Sequence, residues 1–178
     1  VIATGPDRRQ ASMSDTITTL IHSARDRLTI TTPYYVPEQP LDAAIRTVAR
    51  RGVRVTLILP ERNDSLFVNA TSEGLWHGLL SAGVEMRLFR GGLIHSKIIT
   101  VDGQMAMLGS ANLDRRSFEL NYELNLMVVD KGLSAELDER QRSYVARSRL
   151  LTLAEVRRWP WWRRLRNNIL ALAAPLVA

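Results

Sequence analysis

His95 and Lys97 stand two residues apart, and Ser110 and Asn112 follow in a turn that opens at Gly109. On an extended backbone residues i and i+2 project from the same face, so this spacing sets an imidazole beside an ammonium. The pair suits a phosphoryl centre. An imidazole either attacks phosphorus or shuttles a proton near neutral pH, and a lysine neutralises non-bridging oxygens as a point charge. Ser110 and Asn112 supply a hydroxyl and an amide, neutral donors for an anion that Lys97 already partly compensates. Glu123 can accept a hydrogen bond from the far ring nitrogen of His95 and fix its tautomer. Asp102 closes the segment at an Asp102-Gly103 pair of the kind common in turns.

A lone histidine on a strand is more often packed or solvated than catalytic, so the neighbours of His95 carry the argument. Of 24 Lys and Arg residues only Lys97 and Lys131 are lysines, and one of the two falls beside His95. Lys131, next to Gly132, reads as a solvated loop residue. His22 and His77 lie in helical stretches and take structural readings. Tyr34 and Tyr35 follow a strand, where lining a pocket competes with ordinary packing.

These side chains need elements to hold them. Apolar spacing gives helices over residues 16–27, with Ser14 or Asp15 as N-cap, over 41–51, closed by Gly52, and over 65–82, closed by Gly83. Between them, residues 28–32, 53–59 and 84–89 read as β-branched, apolar strands. Residues 95–101 and 105–108 form a hairpin through Asp102-Gly103, and residues 122–130 form a further strand. A charged amphipathic helix covers 133–149. Strand–helix–strand order with short connections is the pattern of an α/β layer fold: a mixed, mostly parallel sheet flanked by helices on both faces.

The spacing His95-x-Lys97, Asp102, Gly109-Ser110-x-Asn112 resembles the HKD signature of the phospholipase D superfamily. Residues 32–37, 62–65, 82–84, 91–93, 112–118 and 120–123, with 147–151 and Pro160-Trp161, are also similar to the C-terminal half of bacterial cardiolipin synthases of that superfamily. The resemblance covers essentially the whole chain. It implies covalent catalysis without metal or cofactor, by two HKD motifs meeting at one site. One histidine becomes a phosphohistidine, and the other protonates the leaving alcohol and deprotonates the acceptor. Donor and acceptor are both phosphatidylglycerol, and glycerol leaves.

In two-motif relatives the nucleophile is usually the N-terminal histidine, which implies the acid/base role for His95. On this resemblance His95, Lys97 and Asp102 are the catalytic residues, and Ser110, Asn112 and Glu123 bind substrate. This chain holds a single HKD motif, so a second half, from the N-terminal part of a longer protein or from another subunit, must supply the other histidine.

The 178 residues carry a net charge of +6, 46% hydrophobic residues and no cysteine, which excludes a disulfide framework, a thiolate zinc site and a cysteine nucleophile. Residues 157–178 hold Arg157, Arg158, Arg163, Arg164 and Arg166 and no acid, leaving 19 basic and 18 acidic residues in the first 156. A nearly neutral body argues against nucleic acid as partner. Residues 1–150 therefore read as the catalytic half and 151–178 as a basic amphipathic helical tail. With Trp159, Trp161, Trp162, Leu165, Ile169, Leu170, Leu172 and Leu176, the tail suits an anionic membrane surface.

The competing reading of the tail docks its leucines on the domain and leaves its arginines in water. The chain starts without Met and has no 18-residue apolar run, so it reads as a piece of a longer protein with no spanning helix here; the resemblance implies a bacterial membrane, with the anchor in the missing N-terminal part. Two other functions fit parts of the pattern: a homodimeric one-motif phosphodiesterase or nuclease, and an inactive half-domain that binds membranes.

Overall fold

The computed structural model describes residues 1–6 and 12–177. Ten strands, β1 (Ile2–Thr4), β2 (Arg27–Thr31), β3 (Tyr35–Val36), β4 (Arg54–Pro60), β5 (Glu85–Phe89), β6 (Ile98–Val101), β7 (Met105–Gly109), β8 (Leu113–Asp114), β9 (Glu123–Val129) and β10 (Ser148–Leu151), are among these residues. The helices are α1 (Ser12–Ser23), α2 (Gln39–Arg50), α3 (Leu66–Ser81), α4 (Arg115–Glu119), α5 (Lys131–Ala146), α6 (Leu153–Arg157) and α7 (Trp161–Val177).

Eight strands form one sheet in the order β1-β9-β7-β6-β2-β4-β5-β10, and β3 pairs with β8 alone. The neighbours β2, β4 and β5 are parallel, and the other pairings of the large sheet are antiparallel. Strands β1, β2, β4, β5 and β7 run one way and β6, β9 and β10 the other, so the sheet is mixed with most strands in one direction. Helices cover both faces, as the strand–helix order implies.

The two faces differ in chemistry. Leu28, Ile30, Val55, Leu57 and Leu59, alternating along β2 and β4, pack with Ile17, Leu20 and Ile21 of α1 and Leu41, Ile45 and Val48 of α2 in one apolar cluster. Each such side chain contributes about 1.5–3 kcal/mol on full burial. The opposite face presents Thr29, Thr31 and Thr100 to α5, whose buried residues are Ser134, Asp138 and Gln141. The Gln141 amide donates to the carbonyls of Thr29 and Ile98 (3.2 Å each) and to Thr31 Oγ1 (3.1 Å), and its oxygen accepts from Thr100 Oγ1 (2.7 Å). One glutamine thereby ties α5 to β2 and β6 at a fixed position. Asp138 pairs with Arg27 in the same layer.

Several boundaries differ from those expected. Helix α1 ends at Ser23 and not at 27, because the N–H groups of Arg25, Asp26 and Arg27 are taken by the Asp102 carboxylate across the fold. Strand β6 begins at Ile98, so His95 lies in an irregular segment ahead of it. The short strands β1, β3, β8 and β10 give no alternation long enough to read from sequence.

Beyond β10 the chain turns through α6 and then lays α7 along α3. That contact is polar: Arg163 pairs with buried Glu73 (2.8 Å), and Asn167 Nδ2 donates to the same carboxylate (2.7 Å). Gly74 makes the approach possible, since a Cβ there would lie 2.4 Å from the Asn167 carbonyl oxygen. Leu165 and Leu172 are thus not docked on the domain, whereas Leu170 is half-buried. Leu165 and Ile169 are exposed, while Arg163 and Asn167 face α3. Leu176 and Ala178, counted with the tail, lie outside the residues whose side chains are described.

Candidate active site

The site forms where β6, β7 and β9 reach one edge of the sheet. The register pairs Ile98 with Leu108 and Gly109 with Asn125, and the Gly109 amide donates to the Lys97 carbonyl (3.3 Å). Lys97, Gly109 and Asn125 therefore stand side by side across three strands.

The segment carrying His95 is held from α5. Ile94 is buried against Ile58 and Phe89 with Tyr144 and Val145 packed on it, and Ser96 Oγ bonds Tyr144 Oη (2.9 Å). Between those two anchors His95 is exposed and Lys97 is buried. The Lys97 ammonium lies 3.1 and 3.2 Å from the two ring nitrogens of His95 and donates to the His95 carbonyl (2.8 Å). Burial pushes the lysine below its ordinary range, opposed by the carboxylates of Glu123 and Asp114. A cation that has lost much of its hydration has most to gain from an incoming anion.

Residues 109–112 are pinned by their backbone. Ser110 N donates to the Leu124 carbonyl (3.1 Å), Ser110 Oγ accepts from Leu124 N (2.9 Å), and Ala111 N reaches Asn125 Oδ1 (3.4 Å). Asn112 N donates to Ser117 Oγ (3.1 Å). Gly109 has no alternative, because a Cβ there would stand 2.2 Å from Asn125 Oδ1 and 2.4 Å from the Leu124 carbonyl. Asn112 Oδ1 and Asn125 Nδ2 are buried without a hydrogen-bond partner among the described residues. A cavity of about 20 Å³ beside Lys97, Asn125, Thr31 and Thr32 has room for one water-sized group.

Of the six residues expected from sequence, His95, Lys97, Ser110, Asn112 and Glu123 gather at this edge. Asp102 does not. It occupies the far end of β6, about 13 Å of strand away, at φ +53°, where its carboxylate accepts the amides of Arg25 and Asp26 (2.9 Å each) and Arg27 (2.7 Å). Its place is a turn that ties the α1–β2 connection to the hairpin, the structural alternative to a catalytic role.

Glu123 is buried near Lys97 and Asp114, but among the described residues the His95 ring is bonded to Lys97 and not to Glu123. Burial pushes the Asp114 carboxyl up, helped by the Glu123 charge and opposed by hydrogen bonds from Ser117. Tyr35 is core, its hydroxyl on Asp42 (2.9 Å), and Tyr34 bonds Asp64 (2.8 Å).

Sequence reasoning missed Asn125, Asp114 and Thr32, whose Oγ1 accepts from Leu113 N (3.4 Å). Only the alternation of Glu123 and Asn125 on one face of β9 signalled one of them.

Residues 17–144 match the sequence pattern of the family described as cardiolipin synthase, PLD-like domain. The chain belongs to this family. Family members similar to it include cardiolipin synthase A of Pectobacterium carotovorum subsp. carotovorum (strain PC1) and of Yersinia pestis bv. Antiqua (strain Angola), each 41% identical over 177 residues, 99% of this chain. The chain spans 36% of the length of those relatives.

Among solved structures, the phospholipase D family member Nuc from Salmonella typhimurium superposes with a TM-score of 0.69 at 18% identity, covering 78% of this chain and 90% of that one. The phosphatidylserine synthase of Haemophilus influenzae Rd KW20 gives 0.71 at 22%, covering 93% and 44%. Both show that this chain shares their fold.

Proposed function

We propose that this chain is the catalytic half, over residues 1–150, of a phosphatidyl transferase that joins two phosphatidylglycerol molecules into cardiolipin and releases glycerol. The observation that carries the reading is the Lys97 ammonium within 3.2 Å of both ring nitrogens of an exposed His95. The site supports phosphoryl chemistry through three neighbouring groups. Lys97 meets non-bridging oxygens, the Ser110 hydroxyl hydrogen is free to turn from its long 3.4 Å contact with Leu124 O, and the Asn112 amide lies on the same loop.

The reaction takes two displacements. One histidine nitrogen attacks phosphorus, forming P–N while the P–O bond to glycerol breaks, and the second histidine gives its proton to the departing alkoxide. That histidine then takes the proton from a glycerol hydroxyl of the second phosphatidylglycerol, whose oxygen attacks phosphorus and breaks P–N. His95 takes the proton-transferring role and Ser110, Asn112 and Glu123 surround the phosphate; the nucleophile comes from a second HKD half.

The surface supports such a partner. Leu120, Tyr122, Leu124 and Leu126, beside Ser110, are 53%, 73%, 59% and 39% exposed. An apolar strip of that kind next to an open half-site suits coverage by another half. The protein works at a bacterial membrane, where its substrate lies.

The intact protein, given phosphatidylglycerol, is expected to release glycerol and form cardiolipin one for one, measured by mass spectrometry of lipids and enzymatic glycerol assay. Phosphatidic acid as the dominant product would replace transfer by hydrolysis.

A further inference from the structure

Helix α7 is amphipathic in the opposite sense from a helix that caps a soluble domain. At about 100° per residue, Trp161, Leu172, Leu165, Ile169 and Trp162 fall within one arc of about 100°. Their exposures are 69%, 80%, 51%, 55% and 55%. A water-facing helix hides such an arc in the core. Here the face turned to the protein carries Arg163 and Asn167.

This rotation is fixed by α3. Glu73 is buried and accepts from Asn69 (3.0 Å), Arg163 and Asn167, so turning α7 by half a turn would strip a buried carboxylate of two of its donors. Arg163 also stacks on Trp159 (3.9 Å), which packs on Trp76.

Charge identifies what covers the arc. Arg157, Arg158, Arg164 and Arg166 are exposed before it and along its two flanks, and residues 157–178 contain no acid. A groove of about 570 Å³ beside the arc is lined by Trp161, Arg164, Asn168, Arg46 and His77. Apolar residues edged by cations, with tryptophans at one end, match the boundary between acyl chains and anionic headgroups. Among the described residues no helix is long and apolar enough to cross a membrane.

We propose that α7 is an interfacial helix that seats this domain on an anionic bilayer, its Trp161–Leu172 arc in the acyl boundary and Arg157, Arg158, Arg164 and Arg166 on lipid phosphates. The choice of a bilayer as occupant rests on the phospholipid-substrate reading; the outward arc rests on α7 and α3 alone.

The test mixes the 178-residue chain with vesicles of phosphatidylglycerol and phosphatidylcholine in equal parts, and with vesicles of phosphatidylcholine alone. Co-sedimentation and a blue shift of tryptophan emission are expected with the first and not with the second. The double substitution Leu165→Glu with Ile169→Glu is expected to weaken vesicle binding by at least about tenfold, with an unchanged melting temperature since both side chains face outward. His95→Ala is expected to bind as the unsubstituted chain does, which keeps this outcome separate from the fate of the catalytic reading. Equal binding to both vesicles, equal binding by the double variant, or no binding by the folded chain would overturn the proposal. So would a dimer in sedimentation that the double variant splits, which assigns the arc to a second copy.

Discussion

Lys97 shows how one residue serves both structure and chemistry. Its stem is buried among the last residues before β6, its ammonium has lost much of its water, and the nearest compensation is two carboxylates and the edge of His95. Such a cation is held at a cost to stability that binding an anion removes.

Asp102 is the contrasting residue. Burial raises its pKa, but the amides of Arg27, Asp26 and Arg25 and the Arg27 charge outweigh it, so the net shift is downward. A carboxyl whose folded pKa lies below its unfolded value stabilises the fold above the ordinary carboxylate range, and that contribution is lost as pH falls through the lowered folded value. Asp102→Ala is expected to cost about 2 kcal/mol in urea unfolding at neutral pH, with the difference from the parent chain vanishing in strong acid. A variant as stable as the parent at pH 7 would remove Asp102 from its role as a tie.

At the scale of elements, α5 and α3 do the positioning. Helix α5 presents Gln141 to β2 and β6 and Tyr144 to Ser96, which fixes where the His95 segment leaves the sheet. Helix α3 presents Glu73 to α7. Glu73→Ala leaves Arg163 and Asn167 without their buried acceptor, so a loss of about 3 kcal/mol is expected in chemical denaturation. Proteolysis near Arg157 and Arg158 should accelerate with it, and unchanged proteolysis would show that α7 is held by other contacts.

The alternation of β2 and β4 and the Asp102-Gly103 hairpin were readable from sequence, because local chemistry dictates each. The outward arc of α7 was not. Its sequence favours a membrane surface but also allows leucines turned inward, and a glutamate 90 residues earlier fixes the rotation. Strand β10 and the β3–β8 pair were hidden for the same reason: their partners, not their own residues, make them strands. At the site, the expectation that Glu123 bonds His95 failed because β6 starts three residues late, leaving His95 ahead of the ladder.

The whole molecule is a mixed sheet with His95, Lys97, Ser110 and Asn112 gathered at one edge. The body is nearly neutral and the tail basic, so on the proposed reading the reaction rests on short-range groups and the tail supplies the attraction toward anionic lipid. The edge around Ser110 is open and flanked by exposed leucines, as half of a shared site would be. Its family relatives are nearly three times as long, which leaves ample chain for a second half.

The central claim is that His95 transfers protons during phosphatidyl exchange. The most direct measurement is the initial rate of cardiolipin formation from phosphatidylglycerol by the intact protein and by its His95→Ala variant, with melting temperatures taken on both. Because His95 is exposed and, among the described residues, its ring is bonded to Lys97 of its own segment, the fold should be unaffected, and the rate is expected to fall at least about 10³-fold. A variant that forms cardiolipin within about tenfold of the parent rate would contradict the account.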